Sequence, residues 1–138
     1  MANFKMDGLD EFMKALNEIG NSAEEIVKKA VNEAAPKLEA AMSKNIASSA
    51  NRGYATGELA GSVKAGKAKT NNYGVYAAVT IRGTDSKGVR NGEKAAYLEY
   101  GTGKQAAHPF MAKSVREAEP SCQQTMEQVF EQEVNALL

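Results

Sequence analysis

The sequence predicts an α+β domain in which long N-terminal and C-terminal helices pack a small antiparallel sheet of three to four strands. Apolar residues recur every three or four positions from Ala23 to Ile46 and again from Met111 to Leu137, the spacing of one helix face. Between them Val75, Ala77, Val79 and Ile81 alternate with Tyr76, Ala78, Thr80 and Arg82, the period of a half-buried strand. At 138 residues, 43% of them hydrophobic, the chain suits one domain spanning residues 1–138 with a core of its own.

Asp7 is placed to cap a first helix, with Leu9, Phe12, Met13, Leu16 and Ile19 on one face and Gly20 as its stop. Ser22 and Glu25 have the spacing of a capping box and would open a second helix. Its stripe runs through Ala23, Ile26, Val27, Ala30, Val31, Ala34, Leu38, Ala41, Met42 and Ile46. Pro36 removes a backbone donor, but the stripe keeps its phase across it. One bent helix is therefore expected there, not two.

Asn51-Arg52-Gly53 ends the helical region, and Thr56-Gly57-Glu58-Leu59 reads as a turn or short helical start. Ser62 to Lys69 is a weakly apolar strand, and Asn71-Asn72 suits a hairpin turn into the strand that carries Val75 to Ile81. Gly83 to Gly92 lacks periodicity and is rich in turn formers, so an exposed, mobile loop is expected, with Lys87, Arg90 and Asn91 as candidate docking residues. Lys94 to Tyr100 fits either a third strand or a short helix.

Tyr97 to Met111 looks like a joint between the sheet region and the terminal helix. Gly101 and Gly103 allow a sharp reversal, while Pro109 has the fixed φ that suits a helix start. Tyr97, Tyr100 and Phe110 would anchor the joint by burying large apolar surface. Glu99, beside the glycines, suits an acceptor for the amides of that turn. The terminal helix then presents Met111, Val115, Ala118, Cys122, Met126, Val129, Phe130, Val134 and Leu137, interrupted only by Pro120.

Size bears on assembly. A compact domain of this length has a radius of gyration of about 14 Å and is roughly 35–40 Å across. Straight helices over Ser22–Ser49 and Pro109–Leu138 would each reach about 42–45 Å. Either the prolines fold them back, or the subunit is elongated and covers its apolar faces against neighbours.

Charge and side-chain chemistry narrow the function classes. Seventeen Lys+Arg balance 17 Asp+Glu, so no global field draws the chain to nucleic acid or acidic lipid. The middle is nonetheless basic, with Arg52, Lys64, Lys67, Lys69, Arg82, Lys87, Arg90, Lys94 and Lys104 against Glu58, Asp85, Glu93 and Glu99. Those lysines suit a sheet edge guarded against aberrant pairing, an electrostatic mate for acidic helices of a neighbouring copy, or contact with nucleic acid. No apolar run approaches the roughly 18 residues of a membrane span, and no signal-peptide core is present. The single Cys122 precludes intrachain disulfides and suits a reducing compartment. His108, the only histidine, would lie about 21 Å from Cys122 along one helix, too far for a nucleophile–base pair. One His and one Cys cannot build a structural zinc site. Gly101-Thr102-Gly103-Lys104-Gln105 lacks the spacing of a phosphate loop. The chain reads as non-enzymatic, with no cofactor or metal.

Thr56-Gly57-Glu58-Leu59 with Ser62-Val63, then Glu99-Tyr100-Gly101-Thr102, then Pro109-Phe110 opening a terminal helix, resemble in order the head–tail joining or tail-completion family of long-tailed bacteriophages and prophages. The Glu-aromatic-Gly-Thr stretch with its nearby Pro-Phe is the specific part. Tyr54-Ala55 stand where a proline often precedes the Thr-Gly turn, and Lys113-Ser114 where a second proline often follows Pro-Phe. The resemblance implies a structural virion protein at the head–tail junction or tail end, assembled in the host cytoplasm. It implies homo-oligomeric rings, often sixfold, that dock to tail-tube and head-connector or neck proteins around a DNA channel. Glu99, Tyr100, Gly101, Thr102, Pro109 and Phe110 would form the structural joint. The other functional class to weigh is a nucleic-acid-binding phage accessory protein that uses the basic middle.

Overall fold

The computed structural model describes residues 9–49, 57–104 and 106–138. The expected cap at Asp7, the break at Asn51-Arg52-Gly53 and the turn residue Thr56 lie outside the described residues. The α+β class holds, with eight elements in order. These are α1 (Leu9–Ser49), α2 (Gly57–Gly61), β1 (Val63–Ala65), β2 (Lys69–Asn71), β3 (Gly74–Tyr76), β4 (Val79–Ile81), α3 (Asn91–Tyr100) and α4 (Phe110–Leu137).

The first helix corrects the sequence reading. Gly20 does not stop it and Ser22 does not cap a second one, because α1 runs unbroken for 41 residues. A glycine inside a helix costs about 1 kcal/mol, whereas ending one helix and nucleating the next forfeits several backbone bonds. Pro36 is also retained inside α1, as the unbroken stripe predicts, and Pro120 lies inside α4.

α4 runs antiparallel to α1 along most of its length. Lys29 pairs with Glu133, Cys122 Sγ donates to the Ala34 carbonyl at 3.4 Å, Lys37 Nζ donates to Ser121 Oγ at 3.2 Å, and Asn45 Nδ2 donates to Ser114 Oγ at 2.9 Å. This register sets Pro36 and Pro120 at nearly the same level. The seam buries Ile26, Ala30, Ala34, Ala118 and Val129, whose mostly small side chains let the two backbones approach closely. Val115 and Phe130, expected on the α4 stripe, are exposed; the buried face runs through Phe110, Ser114, Ala118 and Val129, and each of the two lies one residue, about 100° around the helix, past a member of it.

The expected single sheet is two ladders. β1 pairs with β4 and β2 with β3, both antiparallel. They are two halves of one long ribbon. Val63 opposes Ile81 and Ala65 opposes Val79, while Lys69 opposes Tyr76, so three residues (Gly66 to Ala68) face two (Ala77 and Ala78) between the ladders. One extra residue on one side is a β-bulge, which bends the ribbon and shifts its register by one. Gly66 suits the bulge: its N–H donates to the Ala78 carbonyl at 2.8 Å, and a Cβ there would come within 3.3 Å of that oxygen. The hairpin turn falls at Asn72-Tyr73, one residue on from the expected pair, with Asn71 Oδ1 accepting from the Tyr73 amide.

The core sits where both helices meet the β1–β4 half. Met42 and Ile46 of α1, Leu59 of α2, Val63 of β1, Ala95 and Leu98 of α3, and Phe110 of α4 form one cluster, with Val79 and Ile81 against it. The β2–β3 half lies out along α1, where Thr70 Oγ1 donates to Glu24 at 2.7 Å and the Ala68 amide to Asn32 Oδ1 at 2.7 Å.

Candidate functional site

Lys94 to Tyr100, open to either reading from sequence, belongs to α3. The joint therefore links helix to helix, which corrects the expected sheet-to-helix turn. Glu99 is its centre. Its carboxylate is buried and accepts from the Met111 amide at 2.7 Å and the Ala112 amide at 3.3 Å. Those amides belong to the first turn of α4, where no intrahelical partner exists. Pro109, the residue before α4, supplies no side-chain cap, so the glutamate of another helix performs that role. A negative group at a helix N-terminus also opposes the positive end of the helix dipole. The expectation that Glu99 binds backbone amides holds, but the amides lie on α4, not in the glycine turn.

The chain between the helices is fixed by backbone bonds. Gly101 donates to the Tyr97 carbonyl at 2.8 Å and closes α3, and His108 donates to the Leu98 carbonyl at 2.7 Å. Gly101 has φ 77° and ψ 173°, a region open almost only to glycine. Gly103 has no positive φ, so the reversal rests on Gly101 alone. Thr102 is exposed, and its Oγ1 accepts from the Lys104 amide at 3.2 Å. Of the three aromatics, only Phe110 is an anchor, at 2% exposure. Tyr97 and Tyr100 are 51% and 80% exposed, a correction to their expected burial. On a helix that packs one face inward, residues three apart share a face, and theirs points outward.

Sequence reading missed a polar tie beneath the joint. Ser114 is fully buried; its hydroxyl donates to the Phe110 carbonyl at 2.6 Å and accepts from Asn45 Nδ2, which also reaches Glu117 Oε2 at 3.4 Å. The available signal was polar type at core phase, since Asn45 sits beside Ile46 and Ser114 lies four residues from both Phe110 and Ala118.

The Gly83–Gly92 segment is more ordered than its composition suggests. Thr84 bridges Arg90, and Asp85 Oδ1 accepts from the Lys87 and Val89 amides, both at 2.9 Å. Asp85 Oδ2 meets Lys94 Nζ at 2.9 Å, tying the loop to α3. The Lys94 ammonium, with the Val89 and Lys87 amides, holds the Asp85 carboxyl down at about 2. Asn91 is not a loop residue. It is buried at the start of α3, its Nδ2 donating to the Arg82 carbonyl at 3.0 Å, while its Oδ1 has no partner among the described residues. Lys87 and Arg90 remain exposed, and Arg90 pairs with Glu93 at 2.7 Å, which raises its already high pKa.

Residues 10–101 match a family model described as "Bacteriophage HK97-gp10, putative tail-component". The matched segment covers two thirds of the chain, from α1 through α3 to the glycine of the joint. The chain belongs to the HK97-gp10-like family. That membership agrees with the head–tail joining and tail-completion resemblance carried by the Glu-aromatic-Gly-Thr motif. The family is one of structural phage tail components and not of enzymes, and as its member the chain is a tail-related phage protein of the virion. Helix α4, with Pro109 and Phe110, lies beyond the matched residues. No curated protein and no solved structure matches the chain. Among the described residues no helix is long and apolar enough to cross a membrane.

Proposed function

We propose that this HK97-gp10-like chain is a tail-completion or head–tail joining subunit, one that assembles into a ring with copies of itself and docks to tail-tube and neck proteins. The observation that carries the docking is the pair Tyr97 and Tyr100, large side chains exposed together on α3. Tyrosine is enriched where one protein meets another, because its ring covers much surface at little entropic cost. The Glu99 carboxylate and the Gly101 reversal hold α3 rigidly against α4, so the pair is presented at a fixed angle. Self-assembly is supported by the elongated form: large apolar side chains stay exposed from Leu16 to Leu138, more than one copy can cover by itself.

Electron microscopy of the purified protein, alone and with isolated tails, tests this reading. Closed rings that seat on tail ends are expected. Tyr100→Ala should leave the ring and the fold intact while lowering the yield of joined, infectious particles. Monomers at all concentrations, or rings that ignore tails, would refute the proposal.

A further inference from the structure

The charge of this chain is sorted by segment. Residues 59–84, the ribbon and its immediate flanks, hold four bases and no acid, whereas residues 117–137 of α4 hold five acids and no base. Opposite charges this well separated would attract within one molecule if the fold let them meet. It does not. At 100° per residue, the α1 positions that touch the ribbon (24, 32 and 39) and those that touch α4 (29, 34 and 37) lie on roughly opposite flanks of that helix. Among the described residues, no ion pair joins the ribbon to α4, and Lys67 and Lys69 pair with no carboxylate.

Each flank also leaves aromatic surface uncovered. Tyr73, at the ribbon turn, is 98% exposed. On α4, Phe130 is 43% exposed; it lies three residues and Glu131 four residues beyond Glu127, so the three share an outward face centred on Glu127. Val129, one position away, is buried against α1. An exposed aromatic ring on each of two surfaces, one basic and one acidic, describes two halves of a contact.

Building on the self-assembly reading above, we infer that the outward face of α4 is covered by the β2–β3 ribbon of a second copy. Lys67 and Lys69 of one copy face Glu127 and Glu131 of the next, with Tyr73 against Phe130. Because the two surfaces differ and sit on opposite flanks of α1, the contact is heterologous: every copy offers one surface of each kind, as side-by-side copies in a closed ring require.

Sedimentation of the full chain tests the assignment with two variants, K67E/K69E and E127K/E131K. All four positions are exposed, so far-UV circular dichroism and thermal melting should match the wild type. Each variant alone should self-associate at least about tenfold more weakly, because like charges then meet at every contact. An equimolar mixture should recover assembly, since the acidic ribbon of one variant meets the basic α4 of the other, and the reverse contact is restored as well. Variants that assemble like the wild type, or a mixture that fails to recover, would overturn this interface while leaving wild-type rings to stand. A wild type that stays monomeric would overturn the self-assembly reading and the interface with it. If K67E/K69E assembles normally but loses salt-dependent retention on DNA, the lysines serve nucleic acid and the interface falls.

Discussion

Three residues set the local geometry, and each makes a separate prediction. Glu99 satisfies two amides at the start of α4, so Glu99→Ala should destabilise the fold by about 1–3 kcal/mol in urea titration. Glu99→Gln keeps one carbonyl acceptor but no charge, and should lose less. Gly101 holds a backbone conformation that a Cβ strains, so Gly101→Ala should cost about 1–3 kcal/mol. Asp85 governs pH dependence. Its carboxyl titrates at about 2 in the folded chain against an ordinary 3.8, because Lys94 and two amides favour the charged form. A depressed acid stabilises above its ordinary value and loses that contribution as pH falls through the folded one. The loop should therefore loosen between about pH 4 and pH 2. Hydrogen exchange at the Lys87 and Val89 amides reads this, and Asp85→Asn should flatten the dependence in that window.

At the scale of elements, the ribbon and the helix pair answer to different constraints. The bulge at Gly66 to Ala68 divides the ribbon into a half that packs into the core and a half that lies beside α1. Two amides at and beside the bend find acceptors on α1, since Ala65 donates to Glu39 Oε2 at 3.2 Å and Ala68 to Asn32 Oδ1. The helix pair carries two interior prolines at matching levels. Each removes a backbone bond and crowds the carbonyl four residues earlier, a cost of up to about 3 kcal/mol in a helix interior. Pro120 is exposed, so Pro120→Ala should raise stability by about 1–3 kcal/mol, seen as a higher urea midpoint with unchanged slope.

The whole molecule is long for its mass. Helix α1 alone spans about 60 Å at 1.5 Å per residue, well beyond the roughly 35–40 Å of a compact domain of this size. Ala136 and Leu137, in the last turn of α4, line one groove with Ser22 and Ile26, so the thirteen residues from Leu9 to Asn21 continue past the end of their partner helix. Leu16, in that projecting stretch, is 46% exposed. Small-angle scattering of the dilute monomer should give a maximum dimension of at least about 60 Å. A value near 40 Å would mean that the helices fold back at their prolines in solution.

Local pattern alone determined the α+β class, the stripe of α1 on both sides of Pro36, the helix after Phe110, the strand alternation near Val75 to Ile81, and the glycine reversal at Gly101. Each follows from the spacing of apolar residues or from the sterics of a single backbone position, information that the chain carries within a few residues. Other features depended on partners far away in sequence. Gly20 passes through a helix because its neighbours on both sides are held helical, and Glu99 caps a helix that begins eleven residues later. Ser114 could be read as core only once Asn45 faced it. The exposure of Tyr97 and Tyr100 was likewise hidden, because large apolar area predicts burial unless the packing leaves that face open. Spacing encodes which face of an element is apolar; what lies opposite that face is decided only when distant segments meet.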